Sequence, residues 1–240
     1  MQKSGAITAA AMLAAKAVIR PGVTTKQIDR AVHAAILSHG ATPSFLGYGG
    51  FPGSACVSVN DEVIHGIPGD RVVHEGDLVK VDVGAFFEGF HGDCAATFAV
   101  GEVSKEARQL LDVTRQSFYE GIKFARVGYR VSDISHAVQA YAEGFGYGVV
   151  RQFVGHGVGH KLHEDPEVPN FGKPGHGPRL LPGMTIAIEP MINAGSFDVQ
   201  VMPDNWTVKT VDHSLSAHYE HSVLITTGDP VLLTKWDEGI

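Results

Sequence analysis

GDLVKVDVGAFFEGFHGDCAATFAV, residues Gly76–Val100, consists of two runs rich in β-branched and aromatic residues on either side of Glu88-Gly89. A polar residue followed by glycine between two such runs is the signal of a β-hairpin with a two-residue turn. With the loop at those two residues, Asp82 falls opposite Ala95. Asp93 then lies on the same face as Asp82, a diagonal neighbour about 7–8 Å away. A bulge at Gly89 would change that register. Like charges this close on a sheet repel unless a cation lies between them. A gap of that size between carboxylates suits divalent ions, which take oxygen ligands. An exposed hairpin with two solvated aspartates would carry the same letters, so the rest of the chain decides.

The chain has 240 residues, enough for one large domain or two small ones with a sizeable core. A hydrophobic fraction of 44% with 19% charged residues is ordinary for a soluble globular protein. The net charge of −7 argues against nucleic acid or a membrane surface as partner. Thirteen histidines are many for this length and point toward metal or proton chemistry. Two cysteines, Cys56 and Cys94, make no disulfide framework, and a reducing cytoplasm is the expected compartment. Lys16 and Arg20 interrupt the Ala-rich start from Gly5 to Ile19, which therefore reads as a first helix and not as a signal peptide. No run reaches the length of a transmembrane span.

That first helix is closed by Arg20-Pro21-Gly22. Thr24 and Gln27 have capping-box spacing and open a second, with Ile28, Ala31, Val32, Ala35 and Ile36 on one face and Gly40 at its end. A Gly-, Pro- and aromatic-rich loop, a short strand CVSVN, the turn HGIPGD and the hairpin follow. A long helix is expected from Ser104 to about Ala125, and there the order begins again. Ile28, Ala31 and Val32 recur as Ile134, Ala137 and Val138 at an offset of 106, and Gly76–Asp82 recurs as Gly183–Glu189 at 107. Two matches at nearly one offset favour an internal duplication, roughly 5–100 and 104–226, within one 1–240 domain. The expected class is α+β, with helices on one side of a curved, mostly antiparallel sheet and a cleft between two halves. Asp82 and Glu189 would face one another there.

Three more polar signals lie on apolar backgrounds. His156 sits in VGHGVGHKLHEDP after an expected strand Tyr147–Val154, with His163 seven residues on. Glu189 ends TIAIE, and Glu220 opens a β-rich run in AHYEHSVLIT. Singly, each has an ordinary explanation as a satisfied histidine or a strand-end charge; together they would converge on one cleft. Asp82, Asp93, Glu189 and Glu220 carry four negative charges. One divalent ion would leave two of them buried without compensation, whereas two ions cancel all four. Such pairs of ions clamp a water and polarise a carbonyl. Oxygen-rich ligation with one imidazole favours manganese, iron(II) or cobalt, with zinc allowed.

The order Asp82, Asp93, His156, Glu189, Glu220 resembles the five-ligand set of the type I methionine aminopeptidases, which have the pita-bread fold. The wording NDEVIHGIP, VDVGAFFEGFHGD, GHGVGHKLHEDP, GMTIAIEPMI and WTVKTVDHSLSAHYEH agrees, and the similarity runs from about Gly5 to Thr226. The resemblance implies removal of N-terminal methionine from peptides and nascent proteins with a small second residue. It implies that His65 and His163 contact substrate and stabilise the tetrahedral intermediate, and that Glu189 both binds metal and moves a proton. It implies a methionine pocket drawn from Tyr48, Phe51, Cys56 and Trp206, with Phe45 and Leu162 near its walls. Leu162 stands where many members have phenylalanine, and Gly49 where histidine is common.

A proline-specific relative of the same fold normally carries a large N-terminal domain, for which 240 residues leave no room. The type II enzymes carry a helical insertion that the short span from Glu189 to Glu220 does not hold. A non-catalytic binding protein of this fold would be expected to have lost ligands. The resemblance further implies a monomer and a transient contact with the ribosome; the chain begins inside what is usually the first helix, so no N-terminal extension for docking is expected.

Overall fold

A computed structural model describes residues 1–237. Helices α1 (Gln2–Val18) and α2 (Thr25–Ser38) open the chain. Thr24 caps α2 in the expected box, its hydroxyl accepting from the Gln27 amide while the Gln27 side chain accepts from the Thr24 amide. Strands β1 (Thr42–Pro43), β2 (Ala55–Val59) and β3 (Glu62–Ile64) lead to the hairpin, β4 (Leu78–Phe87) and β5 (Phe90–Ala99). The second half starts with α3 (Lys105–Ile122) and α4 (Val131–Glu143). Strands β6 (Gly148–Val149), β7 (Gly155–Gly157), β8 (Glu164–Val168) and β9 (Thr185–Ile188) follow. Then come β10 (Met191–Asn193), β11 (Val199–Val201), β12 (Val208–Thr210) and β13 (Ser216–His218). The last two are β14 (Glu220–Leu224) and β15 (Val231–Leu232).

The main sheet runs β1-β4-β5-β14-β9-β7-β8, with β2 also on β4 and β15 on β14, and every pairing is antiparallel. Two three-stranded sheets, β13-β10-β6 and β11-β12-β3, lie beside it. Alternation along β4 explains how helices and small sheets share one hairpin. Val79, Val81 and Val83 pack under α1 and α2 with Met12, Ile28, Val32 and Ile36. Each fully buried side chain of this kind contributes about 1.5–3 kcal/mol. On the other face Leu78 packs with Leu110 of α3 and Ile192 of β10, and Lys80 is 2% exposed. A second core, around Phe118, Ile134, Ile186 and Val223, joins α3 and α4 to β9 and β14. The molecule is therefore α+β, with helices packed on antiparallel sheets.

Three expectations are corrected. The helix expected to reach Ala125 ends at Ile122. The strand expected over Tyr147–Val154 does not exist as one element. Gly148–Val149 pairs with β10 in a small sheet, the chain then leaves, and Gly155–Gly157 pairs with β9 and β8 in the main one. An apolar run cannot reveal which of two sheets each end joins. Finally, the second-half counterpart of the hairpin is split: β9 pairs with β14 only after β10–β13 have intervened.

Candidate metal centre

The hairpin turn has the geometry its letters require. Glu88 and Gly89 both take positive φ, 48° and 87°, as a type I′ turn demands. The ladder stays in step from Phe87↔Phe90 to Leu78↔Ala99, placing Asp82 opposite Ala95 and Asp93 opposite Gly84. On the far side of β5, Ala95 pairs with Glu220, so Asp82 and Glu220 flank the same alanine. Glu189 is the residue after Ile188, which pairs with His221. The next strand, β7, carries His156 at its centre. Five adjacent strands each bring one polar side chain to one spot.

Glycines on both sides of His156 let those strands close. A Cβ at Gly155 would lie 2.3 Å from the Ala187 carbonyl oxygen, and one at Gly157 2.3 Å from that of Asp165. The His156 ring is oriented from behind. Its Nδ1 is 2.9 Å from the Gly157 carbonyl, which can only accept, so Nδ1 carries the proton. The bare Nε2 faces Asp93 at 3.8 Å and Glu189 at 3.5 Å. This is the tautomer a metal-binding histidine adopts when a carbonyl holds its other nitrogen.

Electrostatically the cluster lacks positive charge. Burial pushes Asp82 up to about 7, eased by hydrogen bonds from Asp93 and the Val83 amide. Burial, then the charges of Asp82 and Glu189, push Asp93 well above the carboxylate range. Glu189 and Glu220 are raised well above theirs for the same reasons, burial first and neighbouring acids second. Oδ1 of Asp82, Oδ1 of Asp93 and Oε1 of Glu220 are buried without a hydrogen-bond partner. Four buried carboxylates, three orphaned oxygens and an aimed imidazole lone pair fit divalent cations.

The cluster lines a cavity of about 320 Å³ together with all the other residues singled out from the sequence as site candidates. On the cavity's apolar wall Phe45, Phe51, Cys56 and Leu162 are buried together, with Trp206 packed against them and Cys56 directly across the ladder from Asp82. Phe51 and Trp206 meet edge to face at 5.0 Å. Burial pushes the Cys56 thiol well up, with Asp82 adding to it, so it stays neutral. His65 and His163 line the same cavity, His163 beside His156 and His65 beside Trp206. Burial, then His163, lowers His65 to about 4, and burial lowers His163. Nδ1 of His163 lies 2.8 Å from the Tyr48 hydroxyl. Gly49 is outside the wall but supports it, since a Cβ there would be 3.3 Å from Trp206 Cη2.

The sequence reading missed three features. Phe153 completes the wall and packs edge to face on His65 at 5.7 Å. Lys80, although a lysine, is buried on the same strand face as Asp82, and burial lowers its ammonium to about 7. His218, 2% exposed, sits with Glu189 and Glu220 in a second group of potential ligands beside Asp93, His156 and Glu220. Its signal was present: His218 and Glu220 are two apart in a β-rich run and so share a face.

The model of metallopeptidase family M24 matches residues 1–227. The chain is 52% identical over 235 residues to a methionine aminopeptidase of Clostridium acetobutylicum, covering 98% of this chain and 94% of the relative. It is 51% identical to methionine aminopeptidase 1 of Bacillus subtilis, covering 98% and 95%. The crystal structure of methionine aminopeptidase from Thermotoga maritima superposes with a TM-score of 0.96 at 45% identity, covering 98% and 95%. The prolidase from Pyrococcus furiosus shares the fold with a TM-score of 0.81 at 23% identity, this chain spanning 63% of it.

Proposed function

Since the chain belongs to metallopeptidase family M24, we propose that it is a metal-dependent aminopeptidase that removes N-terminal methionine from peptides and nascent proteins with a small second residue. One observation carries this reading: a single cavity joins a buried, anionic, metal-suited cluster to an apolar, aromatic pocket.

Asp82, Asp93, His156, Glu189 and Glu220 would hold two divalent ions, manganese, iron(II), cobalt or zinc, whose charge balances the four carboxylates. When bound, the ions lower the pKa of a water and polarise the scissile carbonyl. The remaining work falls to the chain. Glu189 accepts the proton of the attacking water and passes it to the leaving amine nitrogen, as the new C–O bond forms and the C–N bond breaks. His65 and His163 are neutral at pH 7, so each can donate an N–H to the substrate carbonyl oxygen without adding charge. Tyr48, Phe51, Cys56 and Trp206, with Phe45 and Leu162, hold the methionine side chain, whose sulfur packs favourably on ring edges.

In this reading the chain is one catalytic domain of two duplicated halves, acts as a monomer in the cytoplasm, and contacts the ribosome only transiently. Among the described residues no helix is long and apolar enough to cross a membrane. The test is hydrolysis of Met-Gly-Met-Met against Gly-Pro-Met-Met by chelated protein refilled with manganese or cobalt. Metal-dependent release of methionine from the first alone is expected. Cleavage at the Xaa-Pro bond would move the chain to the proline-peptidase branch of the fold. Cleavage of neither, with metal bound, would favour a binding role.

A further inference from the structure

We propose that His218 is a positioning residue of this metal centre, its buried Nε2–H set between the carboxylates of Glu189 and Glu220 and holding them electrostatically in their binding geometry. The inference rests on the metal-centre reading above. Nε2 of His218 lies 3.8 Å from Glu189 Oε2 and 3.8 Å from Glu220 Oε2. It is buried and has no hydrogen-bond partner. The oxygens divide between two imidazoles, since Glu189 turns Oε1 to His156 and Oε2 to His218.

The two rings face the acids in opposite tautomers. His156 donates its Nδ1–H to a carbonyl and presents the Nε2 lone pair, which calls for a cation. No such argument removes the proton from Nε2 of His218, and a lone pair between two carboxylate oxygens would be repelled. Nε2–H is therefore the stable form, a positive hydrogen turned toward the acids and not a ligand. Ligating carboxylates are commonly held this way through an outer partner.

The backbone around His218 is built to keep the ring still. The ladder between β5 and β14 ends at Ala95↔Glu220, and the chain before Glu220 departs to pair with β10. Two side chains span the gap that opens. The Thr97 hydroxyl donates to the His218 carbonyl at 2.8 Å and accepts from its amide at 2.9 Å. Thr97's cross-strand partner Lys80 donates to the carbonyls of Ser216 and Asn60, both at 2.8 Å. The hairpin that carries Asp82 and Asp93 thus also fixes the strand that carries His218.

The test is Mn(II) affinity and stoichiometry on metal-free wild-type, H218A, H218N and H218Q proteins, with visible absorption of the Co(II)-loaded forms. H218A is expected to bind at least one ion about 10–100-fold more weakly. H218Q, whose amide nitrogen reaches where Nε2 stood, is expected to restore affinity to within about threefold and to leave the Co(II) spectrum unchanged. H218N, too short to reach, should resemble H218A, so the Asn–Gln contrast decides even if H218A does not fold. Wild-type affinity in H218N would overturn the proposal. A Co(II) spectrum altered in H218Q would also overturn it, by making His218 a ligand. D93A separates the two levels: Mn(II) binding unchanged in D93A would instead overturn the metal-centre reading itself.

Discussion

Gly157→Ala tests whether the close approach of β7 to β8 is what holds His156 in place. A Cβ there falls 2.3 Å from the Asp165 oxygen, 2.8 Å from its carbonyl carbon and 2.9 Å from the Glu164 oxygen. Ordinary contact begins at 3.4 Å, so the neighbouring strand must retreat by about 1 Å. All three atoms are backbone, and none can be relieved by a side-chain rotation. Overpacking of this kind costs about 1–3 kcal/mol. In a chain of this length that is a fall in Tm of roughly 2–12 °C. The retreat starts one residue from His156, whose Nδ1 is held by the Gly157 carbonyl itself. A displacement of about 1 Å at a reacting centre lowers turnover by roughly a hundredfold. The assays are thermal melting, Mn(II) binding, and kcat/KM on Met-Gly-Met-Met. Gly69→Ala is the control, because a Cβ there meets only the Ile67 oxygen at 4.0 Å. A G157A protein with kcat/KM within threefold of wild type and an unchanged Tm would refute the reasoning.

Chelation should abolish peptidase activity, and refilling at about 100 times Kd should return about 2.7 kcal/mol per ion, read as a rise in Tm of roughly 5–10 °C per ion. Leu162→Ala, at the buried floor of the pocket, should raise KM for methionyl substrates about tenfold, with a smaller change in kcat, and improve cleavage after bulkier N-terminal residues. Steady-state kinetics on a set of N-terminal residues reads both. Tyr48→Phe removes a hydrogen bond to His163 worth about 1 kcal/mol, so kcat/KM should fall up to about fivefold and Tm by no more than about 2–4 °C. His65 has a folded pKa of about 4 against 6.5 unfolded, so the unfolded chain binds the extra proton. Its contribution to stability is complete above pH 6.5 and is lost as pH falls toward 4, by up to about 1.4 kcal/mol per pH unit. An NMR titration of the His65 ring with a midpoint near 6.5 would contradict that.

The amino-acid order by itself determined whatever depends on neighbours in the chain. The Thr24–Gln27 box, the α2 face built on Ile28, Val32 and Ile36, and the Glu88-Gly89 turn are local choices of backbone and side chain. The hairpin register follows from that turn, and the diagonal of Asp82 and Asp93 follows from the register. Only the tertiary structure decided what depends on which strands meet. Gly148–Val149 and Gly155–Gly157 stand close in sequence yet join different sheets, because each end pairs with a strand that comes later in the chain. Lys80 reads as a solvated lysine on a strand until β13 arrives with the Ser216 carbonyl, 136 residues away, to accept a hydrogen bond from it. The nearness of His218 to Glu220 is local, but nothing in the sequence sets Glu189 beside it until β9 pairs with β14. Periodicity reports the face a residue points to; what stands opposite that face is set by long-range pairing, on which a local pattern carries no information.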